Sequence, residues 1–197
     1  ASAHRAGLLP VISYKVGGDV EGAIAGKFDA VAAEAAAHLA SFDKPTAVTF
    51  WHEPHGNMTP AQYVAASRRI LPAFKIGHLK VGPLLNGWLL DAQVGVFESY
   101  TSAELFALWD WFGLDTYESG TITNPGPAKP ATRIRAARSF LDARGINLPL
   151  GIGEYNGYSA QSIFDVSAAL LNTRDVWFGC LWNASGGKGH ALEGERL

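Results

Sequence analysis

The sequence predicts an α/β protein with parallel strands, either a barrel or a doubly wound sheet. Three observations carry this expectation: six short apolar runs closed by turn or polar residues, five stretches of helical periodicity, and strict alternation between the two. Such alternation makes the strands parallel and joins them by right-handed crossovers. No repeat or charge-rich linker divides the 197 residues, so one domain over 1–197 is expected.

Leu8 to Tyr14 (LLPVISY) reads as the first strand, closed by Lys15 and the Gly17-Gly18 pair. From Gly22 to Phe42, Ile24, Phe28, Val31, Ala35, Leu39 and Phe42 recur at three and four residues, which predicts one long alanine-rich helix. Ala47 to Trp51 is a β-branched and aromatic run between Pro45 and Pro54, a buried strand ending on His52 and Glu53. Thr59-Pro60 supplies a cap and first helical position for a helix towards Phe74 that buries Val64, Leu71 and Phe74. Leu79 to Leu85 is the next strand, ending near Asn86, Gly87 and Trp88; Asp91 to Tyr100 reads as a loop, and Thr101 to Asp110 as a helix.

Phe112 to Tyr117 (FGLDTY) is a strand whose end carries Asp115 and Tyr117, followed by a Gly-, Pro- and Thr-rich loop from Ser119 to Pro130. Thr132 to Arg144 repeats the amphipathic pattern through Ile134, Ala137 and Leu141, with Gly145 as the stop. Leu148 to Gly153 forms a strand closed by Glu154, Tyr155, Asn156 and Gly157; Ala160 to Leu171 is helical through Ile163, Val166 and Leu170; and Val176 to Trp182 (VWFGCLW) is the last strand. The glycine-rich tail from Asn183 to Leu197 reads as irregular, and Arg68, Arg69, Arg133, Arg135 and Arg138 read as solvated helix faces.

A hydrophobic content of 48% with 17% charged residues fits a folded globular chain. A net charge of −2 provides no footprint for nucleic acid or an anionic membrane, and no apolar run approaches the length of a membrane span. Neutral partners are expected. The single cysteine, Cys180, allows no internal disulfide and reads as core. The chain opens ASAHRAG without an initiator methionine, so it is expected to belong to a longer polypeptide.

The chemistry gathers at strand ends. Glu53 and Glu154 each stand at the C-terminal mouth of a predicted strand, where an α/β barrel keeps its reactive groups. Two carboxylates there suit glycosidic bond cleavage, one as proton donor and the other as nucleophile or base. Sugars also need aromatic platforms, and Trp51, Trp88, Tyr117, Tyr155, Tyr158 and Trp182 all fall at or just beyond strand ends. Other chemistries fit poorly. The spacing around His52, Glu53 and His55 is HExH, not HExxH, and Pro54 prevents the helix that would aim both imidazoles at a metal. Neither Gly151–Gly157 nor Gly186–His190 matches a nucleotide-binding loop, and there is no GxSxG elbow. No metal or organic cofactor is expected. Asn57-Met58-Thr59 and Asn183-Ala184-Ser185 match the glycosylation sequon, a pattern common by chance.

Taken together, GKFDA at Gly26 to Ala30, FWHEPHG at Phe50 to Gly56, AASRRI at Ala65 to Ile70, FGLDTY at Phe112 to Tyr117, GIGEYNG at Gly151 to Gly157 and WFGCLWN at Trp177 to Asn183 resemble glycoside hydrolase family 26. This is the β-mannanase-type group of the clan-A retaining glycosidases, including distant actinobacterial and phage-borne relatives. The resemblance covers nearly the whole chain, and its specificity comes from the order and spacing of motifs that are individually weak. It implies a TIM (β/α)8-type barrel in which this chain supplies strands three to eight, the first two βα units being absent along with a clear final helix. It implies Glu53 as acid/base and Glu154 as nucleophile, with His52 contacting the sugar or orienting a carboxylate, Tyr117 bonded to the nucleophile and Trp182 flooring the cleaved sugar. His55, Trp88, Tyr155, Asn86 and Asp115 complete the expected substrate-binding set. HEPHG replaces the HEMNG of the mannanases, so sugar recognition around His55 departs from theirs.

The expected activity is cleavage of a polysaccharide or oligosaccharide with retention, the carboxyls about 5–5.5 Å apart and the acid titrating near ~6. The competing reading is a non-catalytic carbohydrate-binding or adhesion domain derived from such a barrel, within a larger surface or virion assembly. Both imply an extracellular or virion-associated setting, and partners that include the missing N-terminal barrel segment or a larger assembly, without nucleic acid or membrane insertion.

Overall fold

The structure is a computed structural model and describes residues 2–184, 191, 192 and 194. The sequon residue Ser185, the Gly186–His190 segment and most of the tail expected to be irregular lie outside the described residues. The elements run α1 (Ser2–Arg5), β1 (Val11–Tyr14), α2 (Val20–Ile24), α3 (Asp29–Ala40), β2 (Thr46–Phe50), α4 (Pro60–Ile70) with a 3-10 turn (Leu71–Phe74), β3 (Leu79–Val81) and β4 (Leu85–Asn86). They continue through α5 (Leu89–Ala92), α6 (Val94–Ser99), α7 (Ala103–Leu108), β5 (Phe112–Tyr117), β6 (Gly120–Thr121), β7 (Asn124–Pro125), α8 (Pro130–Asp142), β8 (Leu150–Asn156), α9 (Ala160–Asn172) and β9 (Val176–Leu181). The result is a mixed α/β structure with parallel pairs β1–β2, β2–β3 and β8–β9. Among the described residues no helix is long and apolar enough to cross a membrane. The chain divides into two compact units, Ala1–Leu85 with Glu98–Phe112, and Asn86–Phe97 with Gly113–Leu197.

The first unit is built on the three-stranded sheet β1-β2-β3. All five residues of β2 are buried, as expected of a central parallel strand covered on both faces. Tyr14 and Phe50 are register partners, and Tyr14 packs on Phe74 of the 3-10 turn with ring centroids 5.1 Å apart. The long helix expected from Gly22 to Phe42 is two helices. Gly26, at φ +87°, turns the chain, and the Lys27 N–H bonds back to Gly22 O at 2.9 Å. The buried positions of α3 are Ala32 and Ala36, one residue off the predicted face, and Val31 is exposed. Alanine-rich helices carry little contrast between faces, so periodicity reads their orientation poorly. Thr59 forms a capping box with Gln62, as the Thr-Pro pair suggested, but α4 buries Tyr63, Ala66, Ser67 and Ile70, while Val64 is only half-buried.

The strand expected from Leu79 to Leu85 breaks after Val81, and Leu85–Asn86 joins the other sheet. Gly82 passes so close to Trp111 that a Cβ there would lie 2.3 Å from the indole ring and 2.4 Å from the Trp111 carbonyl oxygen. Asp110 then closes the edge of β3: its N–H donates to Val81 O at 2.7 Å, and its carboxylate accepts the Val81 N–H at 2.9 Å.

The second unit is built on the sheet β4-β5-β8-β9. β5 has the predicted limits, whereas β8 runs on through Glu154 to Asn156, so Glu154 lies within the strand and not just past it. The region Asp91 to Tyr100, expected as a loop, is mostly helical in α5 and α6, and the expected loop after β5 contains the antiparallel β6–β7 hairpin. On α8, Ile134, Ala137 and Leu141 are buried as predicted, but so are Arg133 and Arg138, each 5% exposed; Arg68, Arg69 and Arg135 are exposed as expected. Arg138 bonds Asp142 Oδ1, Leu148 O and Ile146 O, stitching the end of its helix to the segment that leads into β8. α9 buries Ser162, Val166 and Ala169, and β9, the last strand of its sheet, is half-exposed along its length.

Candidate functional site

The candidate residues fall into two groups, one in each unit. In the first, His52, Glu53 and His55 occupy the turn that follows β2. Trp51 and Glu53 have φ of +51° and +52°, a left-handed conformation that costs a residue with a Cβ about 1–3 kcal/mol and that collects at functional sites. Two backbone bonds and one side-chain bond hold the turn against that cost: Trp51 N–H to Tyr14 O at 3.1 Å, Glu53 N–H to Leu84 O at 2.8 Å, and the Asn57 side-chain Nδ2 to Glu53 O at 3.1 Å. The Glu53 side chain is thereby carried on a tightly specified backbone.

His52 is oriented by Ser13, whose Oγ lies 2.8 Å from Nδ1 and also accepts the His52 N–H at 3.4 Å. His55 meets Tyr100 edge to face at a centroid distance of 6.0 Å. The Tyr100 hydroxyl donates to Met58 O at 2.9 Å, tying the far side of the turn, and burial raises the phenol above its ordinary range. Lys15 Nζ sits 5.6 Å from the Trp51 ring centroid.

In the second unit the candidates are Asn86 and Trp88 after β4, Asp115 and Tyr117 on β5, Glu154 and Tyr155 on β8, and Trp182 just beyond β9. The structure brings Tyr117 and Glu154 together: the phenol donates a hydrogen bond to Glu154 Oε2. Asp115, 2% exposed, lies two residues before Tyr117 and so on the same face of β5. Asp115 and Glu154 both act on Cys180, whose thiol is raised first by burial and then by these two carboxylates. Cys180, expected in the core, is half-buried.

Asn86 is buried on β4, where the neighbouring Gly87 N–H donates to Asp115 O at 2.9 Å; Trp88 is 38% exposed. Tyr155 is buried, its ring edge 3.4 Å from where a Cβ on Gly179 would stand, and burial followed by the charge of Cys180 raises its phenol. Trp182, 43% exposed, is the most open aromatic of this group.

Four supporting residues escaped the sequence reading. Arg133 donates to Tyr117 O at 2.6 Å and pairs with Asp91 at 3.0 Å, so a buried guanidinium holds the carbonyl of the residue whose phenol meets Glu154. Glu118, 4% exposed, accepts the Tyr158 N–H at 2.9 Å and an ion pair from Lys129. Asn156, fully buried, reaches Trp182, and Ser13 reaches His52. Asn156 stood in the GEYNG motif, which was a usable signal. For the other three, nothing in the local pattern separates a buried polar side chain from a solvated one.

Among the described residues no group of three His, Cys, Asp or Glu side chains is placed to hold a metal ion. Comparison with models of known protein families gives no match, and comparison with curated protein sequences gives none.

Proposed function

We propose that this chain is a retaining β-glycoside hydrolase acting on a polysaccharide, a distant relative of glycoside hydrolase family 26 built on an incomplete (β/α)8 barrel. The observation that carries the reading is the Tyr117–Glu154 hydrogen bond, which ties a carboxylate near the end of a parallel strand, two positions before its last residue, to the neighbouring strand β5. A phenol donating to one oxygen holds the carboxylate in a set orientation and leaves its other oxygen for attack, as a nucleophile needs. The strained turn bearing Glu53 adds support, since such backbone is held where a side chain must be aimed.

In the first step Glu53 gives its proton to the glycosidic oxygen while Glu154 Oε1 attacks the anomeric carbon. The bond from that carbon to the leaving oxygen breaks, and a glycosyl ester with Glu154 forms. In the second step ionised Glu53 takes a proton from water as its oxygen attacks the same carbon, and the ester bond breaks to restore Glu154. Two inversions give net retention.

The test is reducing-sugar release from a panel of β-mannan, β-glucan, xylan and arabinogalactan, with the product anomer read by proton NMR. Wild type is expected to release sugar with retention, and Glu53→Ala and Glu154→Ala to lose turnover. Inversion of the anomer overturns the mechanism. Binding of a panel member by all three proteins without turnover replaces the enzyme with a carbohydrate-binding domain.

A further inference from the structure

We propose that Asn156 is a positioning residue that presets Trp182 as a sugar-binding surface, an inference that rests on the glycosidase reading above. Trp182 directly follows the last residue of β9 and is 43% exposed. An aromatic in that position ordinarily has freedom to lose on binding. Here both of its backbone groups are tied to β8: its N–H donates to Tyr155 O at 2.9 Å, and its C=O accepts from Asn156 Nδ2 at 2.5 Å.

Asn156 is itself fully buried, and its other amide atom, Oδ1, accepts the Gly157 N–H at 2.6 Å. The two bonds require the same orientation of the carboxamide, so its oxygen and nitrogen are unambiguous. The Asn156 carbonyl in turn accepts the Glu118 N–H at 3.1 Å, which links the end of β5 to that of β8. Asn156 therefore joins three strand ends, and on β8 it stands two residues beyond Glu154, on the same side of the strand. A single side chain thus couples the candidate nucleophile's strand to the backbone that carries the exposed indole. Holding Trp182 still before substrate arrives removes part of the ordering cost of binding, and the consequence falls on substrate affinity.

Asn156→Asp tests the clamp with almost no change of shape: the oxygen facing Gly157 is kept, while the donor to Trp182 becomes an acceptor. The readouts are steady-state kinetics on whichever panel polysaccharide wild type hydrolyses, and the 19F resonance of 5-fluorotryptophan at position 182, assigned with Trp182→Phe. The expected result is a rise of about tenfold in KM, the equivalent of about 1.4 kcal/mol, with kcat within about threefold of wild type. The position-182 resonance should also shift and broaden. An unchanged resonance overturns the clamp, and so does a loss of kcat as large as the rise in KM, which would mark a general structural role. If wild type hydrolyses no member of the panel, the glycosidase reading falls, and the fluorine resonance by itself decides whether Asn156 sets Trp182. Should Asn156→Asp fail to fold, Asn156→Ser, smaller and uncharged, provides the same two measurements.

Discussion

Glu118→Gln removes one charge from the second unit while keeping the side chain's outline, and the structure allows its cost to be worked out. The Glu118 carboxylate is 2% exposed, whereas its partner Lys129 is 43% exposed. Burial alone would raise the Glu118 pKa; the Lys129 hydrogen bond, the Tyr158 N–H, the Ser162 hydroxyl and the Lys129 charge together outweigh it and hold the group below the ordinary glutamate range. Glutamine can still accept from Tyr158, but its NH2 would then face the Lys129 ammonium. Stripping one partner from a fully buried pair costs about 3–5 kcal/mol, because the other charge stays stranded. Lys129 can turn to water, so the loss should approach that of a hydrogen bond to a charged group, about 2 kcal/mol. For a chain of this length that lowers Tm by about 4–8 °C.

The pH dependence follows from the direction of the shift. A carboxyl depressed in the folded state stabilises fully above its unfolded pKa, and that contribution is lost as pH falls through the folded value. Urea denaturation of wild type and variant, followed by tryptophan fluorescence, should therefore show a gap that is full at about pH 7 and narrows below about pH 4.3. A gap that stays constant down to about pH 3, or one under about 0.5 kcal/mol at neutral pH, would refute the assignment of Glu118 as an ionised buried partner.

Three further outcomes are expected. Gly82→Ala should cost at least about 2 kcal/mol in denaturant unfolding, because its Cβ would meet the Trp111 carbonyl as well as the ring and the backbone cannot step aside; a near-neutral result would mean that the approach is looser. Glu53→Gly should be more stable than Glu53→Ala by about 1 kcal/mol, since both lack the carboxylate and only alanine keeps a Cβ at φ +52°; equal stability would remove the claim of strain. Tyr117→Phe should lower kcat by about 10²-fold on a hydrolysed polysaccharide with little change in KM, as the proposed double displacement requires of a donor that orients Glu154. A rise in KM at constant kcat would move Tyr117 from orienting Glu154 to binding substrate.

Local chemistry was legible in the sequence wherever a feature depends on a few neighbouring residues. The apolar runs that became β2, β5 and β9, the Thr59-Pro60 start of α4 and the Gly145 stop, at φ +66°, were all readable because strand propensity, capping and left-handed turns act over one to five residues. Glu53 and Glu154 stand out for the same reason, as acids beside the ends of apolar runs. What the pattern could not supply was the partner of each group. The Tyr117–Glu154 bond joins two strands, the burial of Arg133 depends on Asp91 and the Tyr117 carbonyl, and the split between α2 and α3 coincides with Arg69 from α4 packing at Gly26. Periodicity along a chain records which face is apolar. Whether a charge on that face is solvated or paired, and whether a strand such as β3 continues or stops, depends on which other segments fold against it, and only the tertiary structure decides that.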